Sequence, residues 1–132
     1  MKLKKVLGKV GTFLFVFSLM GTTAFAATQK YDISLTTSES RYTSVVRKTT
    51  TTSTAYVTRQ EPDSPITTIQ VNVWNSGTAV KSNTKNIKGV GTANPSYSGY
   101  NVDSGDYLRL RIYNPTSSNN GASISAAGTW EP

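Results

Sequence analysis

From residue 27 onward the chain keeps a period of two, and that period excludes most folds. Tyr31, Ile33 and Leu35 alternate with Asp32, Ser34 and Thr36. Ile69, Val71 and Val73 alternate with Gln70, Asn72 and Trp74. Leu108, Leu110 and Ile112 alternate with Tyr107, Arg109, Arg111 and Tyr113. Successive side chains of a strand point to opposite faces, so each run gives one face to a core and the other to water. No stretch after residue 27 carries the stripe of an amphipathic helix. The expected class is therefore all-β, with Leu110 as the deepest side chain.

Turn chemistry divides the runs. Glu61-Pro62-Asp63-Ser64-Pro65 should stop a stretch that begins at Val45-Val46 and reaches Tyr56-Val57, because proline cannot donate to a ladder. Asn75-Ser76-Gly77 predicts a hairpin whose return strand lies within Thr78 to Ile87. Gly89 to Gly105 reads as the longest irregular segment and the place for a functional loop. Asn114-Pro115 ends the 107–113 strand, Ser117 to Gly121 turns the chain, and Ser123 to Trp130 closes it with Ile124, Ala126 and Trp130 on one side. Six or seven short strands of this kind predict a small antiparallel β-sandwich, with a closed barrel as the other architecture.

Residues 1–26 follow different rules. Lys2, Lys4, Lys5 and Lys9 precede an apolar run from Val10 to Met20, and Ala24-Phe25-Ala26 supplies a small-x-small cleavage pattern. The run is well short of the roughly 20 residues a membrane-spanning helix needs. A cleaved signal peptide over 1–26 and a single domain over 27–132 are expected, with no transmembrane anchor. Four of the 14 basic residues belong to the signal and none of the 7 acids does, so 27–132 holds ten basic and seven acidic residues. The high isoelectric point is thus mostly a property of the leader, and nucleic acid is not an expected partner. The remaining excess of positive charge suits an anionic surface. The chain has no cysteine, which fits a bacterial export product better than a disulfide-stapled animal one. Trp130-Glu131-Pro132 carries no sorting pattern, so release outside the cell, with loose wall association, is expected.

The same composition removes familiar chemistry. The chain has no histidine and no cysteine, which excludes a Ser-His-Asp triad, a cysteine nucleophile and a zinc site of ordinary ligands. Of the acids, only Asp32 falls within a predicted strand, and no pair is placed for glycoside hydrolysis. Asp103-Ser104-Gly105-Asp106 clusters oxygen ligands, but calcium wants six to eight, and turn residues explain the same motif. Gly89-Val90-Gly91 lacks the strand–loop–helix setting of a phosphate loop. No enzyme activity, cofactor or metal site is expected.

The constellation with the most to offer is Tyr107-x-Arg109-x-Arg111-x-Tyr113. Period two puts all four on one face of one strand. Arginine forks take carboxylate or phosphate by two points, and tyrosine rings offer flat faces to sugars or acyl groups. The four are the candidate binding residues for an anionic wall polymer, glycan or lipid headgroup. The plainer reading lays the arginines over the tyrosines as cation–π pairs on a solvated face. The Thr49–Thr54 run reads as an exposed edge strand, with Arg47-Lys48 repelling edge-to-edge pairing.

Arg47-Lys48-Thr49-Thr50-Thr51-Thr52, Val71-Asn72-Val73-Trp74, Tyr107-Leu108-Arg109-Leu110-Arg111 and Gly128-Thr129-Trp130 together resemble a group of small uncharacterised exported proteins of Gram-positive bacteria. Some members of that group are distantly similar in size and style to the bacteriocin-like secreted β-sandwiches of the lactococcin 972 kind. This chain departs from them in starting its exported part at Ala27-Thr28-Gln29 and in having no histidine. The resemblance implies an extracellular compartment and a sandwich; it transfers no catalytic residue. The function expected is non-enzymatic binding to a cell-envelope component. The alternatives are a bacteriocin-like antagonist of competing bacteria and a structural protein of an extracellular matrix.

Overall fold

The computed structural model describes residues 28–62 and 67–132. The signal peptide expected over 1–26, and the Asp63-Ser64-Pro65 part of the proline-rich turn, lie outside the described residues. Those residues form an all-β structure of ten segments without a helix: β1 (Gln29–Leu35), β2 (Ser40–Tyr42), β3 (Val46–Arg47), β4 (Tyr56–Arg59), β5 (Glu61–Pro62), β6 (Thr68–Asn75), β7 (Lys85–Lys88), β8 (Gly91–Ala93), β9 (Tyr107–Tyr113) and β10 (Ile124–Glu131).

They make two antiparallel sheets. One runs β1-β10-β4-β8, with β5 also on β10; the other runs β2-β9-β6-β7, with β3 also on β9. Two strands are each interrupted by one extra residue, so the ten segments make eight strands, more than the six or seven expected. Tyr42 opposes Arg111 and Val46 opposes Leu108, so four steps on one chain meet three on the other. Val57 opposes Trp130 and Pro62 opposes Ala126, five steps against four. Each is a β-bulge, which breaks the ladder locally and bends the strand. Glu61-Pro62 therefore continues the pairing with β10 after its bulge instead of stopping it. Within the segment expected to be irregular, Gly91–Ala93 pairs with β4 as β8.

The inward parity of both sheets meets in one core. Tyr31, Leu35, Val57, Ile124, Ala126 and Trp130 come from the first sheet; Ile69, Val71, Val73, Leu108, Leu110 and Ile112 come from the second. Leu110 is fully buried, as its place in the alternation requires, and so are Val57, Ile69, Val73, Ile112 and Trp130. Each such aliphatic side chain is worth about 1.5–3 kcal/mol of burial. Where β1 passes β10, Tyr31 opposes Gly128, and its hydroxyl reaches across to donate to the Thr58 carbonyl at 2.5 Å. A Cβ on Gly128 would stand 2.0 Å from that carbonyl oxygen and 2.8 Å from the Tyr31 hydroxyl, so only glycine fits. Burial holds the Tyr31 phenol above its ordinary range, an effect the Arg59 charge partly opposes.

The two ends of the layers are sealed by polar clusters. At one end Asn114 donates to the carbonyls of Leu35, Thr36 and Ala122, and its own amide oxygen accepts from Asn119 at 2.7 Å. Asn119 in turn pairs both ways with the Thr68 backbone. The Asn114-Pro115 and Ser117–Gly121 turns thus tie four strand ends together. At the other end the Thr49–Thr54 run is not an edge strand. It carries the chain from β3 in one sheet to β4 in the other, and only its end pairs, where Thr54 bridges Ser96 and the Ser53 carbonyl accepts the Tyr97 N–H at 2.9 Å. Lys48 does not guard an edge either. It is buried, its ammonium donating to Thr50 and Thr52 at 3.0 and 2.9 Å and lying 5.1 Å from the Tyr97 ring centre. Its removal from water lowers its pKa.

Candidate functional site

The outer face of the second sheet gathers the sequence candidates. β9 alternates with Leu108, Leu110 and Ile112 inward and Tyr107, Arg109, Arg111 and Tyr113 outward. The structure therefore keeps all four predicted residues on one solvent-facing strip. Register decides what lies beside them. Arg109 opposes Trp74, Arg111 sits between Asn72 and Tyr42, and Tyr107 opposes Arg47.

These neighbours change the reading of each side chain. Arg109 does not stack on either tyrosine of its own strand. Its guanidinium lies 4.1 Å from the ring centre of Tyr42 and donates to the carbonyls of Asn75 at 3.2 Å and Gly77 at 2.5 Å. It braces the β6–β7 turn. Tyr42 also meets Trp74 edge-to-face, with ring centres 5.6 Å apart and planes at 83°. The Trp74 indole N–H is fixed by the Asn72 carboxamide at 2.8 Å. Arg111 lies 4.9 Å from the Tyr113 ring centre, the pairing within one strand that the sequence suggested. Its donors take no hydrogen bond or ion pair among the described residues; the ion pair found there joins Arg41 to Glu39 at 2.7 Å, away from this face. Tyr107 is 57% exposed and stands free of its neighbours' rings.

The result is a preorganised strip of Trp74, Tyr42, Arg109, Arg111 and Tyr113, with Arg47 and Tyr107 at one end. No acidic side chain projects from its strands. Beyond Tyr107 the strip runs into a polar cleft of about 380 Å³ lined by Asn75, Lys81, Asn101, Asp103 and Asp106. The Asp106 carboxylate accepts the Asp103 N–H at 2.8 Å, and Gly105 between them has φ of 99°. This is turn geometry, as the residue types implied. No group of three or more metal-ligating side chains occurs among the described residues.

Arginine pairs with anions by paired N–H donors, and aromatic faces take the C–H side of sugar rings. A strip holding both, beside a cleft of amide and carboxylate oxygens, can receive a chain of anionic or hydroxylated units. Tyr42 and Trp74 escaped the sequence reading as site residues. Trp74 had a signal: its parity opposes Val71 and Val73, and a tryptophan turned to solvent calls for explanation. Tyr42 had none, because only cross-strand register brings it to Arg109.

No family model matches the chain, and no curated protein and no solved structure matches it either. No helix among the described residues is long and apolar enough to cross a membrane.

Proposed function

We propose that the chain is exported, loses residues 1–26, and acts outside the cell as a non-enzymatic β-sandwich that binds an anionic or carbohydrate component of the cell envelope. Tyr107, Arg109, Arg111 and Tyr113 are its contact residues, joined by Trp74 and Tyr42. One observation carries this reading: Arg111 presents unengaged donors between aromatic side chains on a face without acids. A purely structural reading accounts for the rings, with Arg111 on Tyr113 and Arg109 on Tyr42, but leaves the Arg111 donors without a role.

Roles within the strip differ. Arg109 positions the rings and the turn, whereas Arg111 is free to meet phosphate or carboxylate. The test uses purified cell wall and, separately, vesicles of anionic phospholipid. Arg111→Gln combined with Trp74→Ala should reduce retention about ten-fold or more, as loss of a charged hydrogen bond and a stacking face predicts. Retention on wall but not on vesicles identifies the wall polymer. Added salt should weaken an electrostatic contact and leave a sugar-stacking one. Unchanged retention of the double variant on both supports would overturn the assignment.

A further inference from the structure

Each sheet ends in two strands whose outer backbone groups face away from their own sheet, and the molecule treats them differently. The β2–β3 edge is broken by its bulge, and β8 has only three residues. β7 is four residues long and carries Lys85 and Lys88. Bulges, shortness and lysines are the ordinary means of preventing strand addition. β1 has none of the first two: its seven residues pair without interruption from Gln29↔Trp130 to Leu35↔Ile124, with no proline or glycine. No backbone group from Gln29 to Ser34 bonds to anything beyond β10 among the described residues.

We infer that this edge pairs with the same edge of a second copy to give a two-fold symmetric dimer. Charge complementarity selects the register. The side chains of Lys30 and Asp32 both point to the outer face, both are exposed, and neither side chain enters a hydrogen bond or ion pair among the described residues. An antiparallel pairing centred on Tyr31 sets Lys30 of each copy opposite Asp32 of the other, giving two ion pairs. The same register sets Gln29 against Ile33, both of them half-buried on the core-facing parity of β1. Shifting the centre to Asp32 would oppose the two aspartates, and centring on Lys30 would oppose the two lysines. The interface is isologous, so it closes at two copies.

The two-fold axis of such a pair stands perpendicular to the extended sheet. Both copies then keep their second sheets on the same side. If the reading under Proposed function holds, the two aromatic–arginine strips face one surface together, and a repetitive polymer is held by two sites at once. The dimer does not depend on that reading.

The test uses the protein from Ala27 to Pro132, which holds every residue of the core. Light scattering and native mass spectrometry across a concentration series should show a mass that doubles. Lys30→Asp alone and Asp32→Lys alone should each weaken dimerisation about ten-fold or more, since like charges then stand opposite one another. The double exchange, Lys30→Asp with Asp32→Lys, should restore it, with circular dichroism unchanged throughout. A monomer at every concentration overturns the proposal. So does a dimer that survives either single exchange, or one that the double exchange fails to recover. Retention on wall or vesicles is read separately, so loss of ligand binding and loss of dimer are distinguishable.

Discussion

The two outward faces arise from the same alternation, yet they are built for different ends. On the first sheet, β10 turns out Ser125, Ala127, Thr129 and Glu131, flanked by Lys30, Asp32 and Ser34 on β1 and by Tyr56 and Thr58 on β4. Its hydroxyls satisfy one another: Thr58 and Thr129 share a 2.8 Å hydrogen bond, and the Thr58 hydroxyl also accepts the Thr129 N–H at 3.0 Å. Positive and negative charges are interspersed. On the second sheet, aromatic rings and arginines fill the corresponding positions and no acid dilutes them. Parity decides that a residue faces water; only its cross-strand neighbours decide whether its polar atoms are already committed.

Substitutions can break that contrast from either side. The largest effect belongs beneath the threonine face. Gly128→Ala forces a Cβ into the Thr58 carbonyl, and backbone cannot yield as a flexible side chain would. Urea unfolding should show a loss of about 3 kcal/mol or more. Thr129→Val on the same sheet removes a side-chain hydrogen bond and leaves the Thr58 hydroxyl one partner fewer, at about 1 kcal/mol. Arg111→Gln on the opposite face should leave stability within about 0.5 kcal/mol, as exposed substitutions do, while binding falls. A large stability loss from Arg111→Gln would mean that the second face is held together by its arginine instead of offering it.

The smallest effect lies at the corner where β1 turns toward the second sheet. Hydrogen bonds from Thr36, followed by the Arg41 guanidinium, bring the Glu39 carboxyl down to about 2 from an ordinary 4.5. A depressed acid stabilises the fold above its unfolded value, and that contribution disappears as pH falls from 4.5 toward 2. Glu39→Gln should flatten the acid limb of a stability–pH curve in that window, slightly lower stability at neutral pH and leave it unchanged below about pH 2. An unaltered acid limb would show that the exposed pair contributes nothing measurable.

Much of the fold was legible in the chain because side-chain parity is a local property. The inward set on β6, β9 and β10 and the outward quartet on β9 followed from it directly. Strand order, the two bulges and the partnership of Tyr42 with Arg109 were not legible, because each depends on residues distant in sequence. Lys48 shows the same limit from another side. A lysine beside threonines reads as solvent-exposed until the run is seen to cross between sheets, where its hydroxyls replace water around the ammonium. Arg59 is also buried on an inward parity, with Thr67 accepting at 2.7 Å through both its carbonyl and its hydroxyl. Local pattern offers no warning of a charge that the far side of the molecule will accommodate.

Lys48 gives the molecule an internal clock. Lys30, Lys81, Lys85 and Lys88 are open to water to varying degrees, whereas the Lys48 amine is walled in by Thr50, Thr52 and Tyr97. An acylating reagent would mark the first four well before the fifth. It would reach the fifth only when the crossover lifts away, so the rate of that last modification times the breathing of one end of the protein.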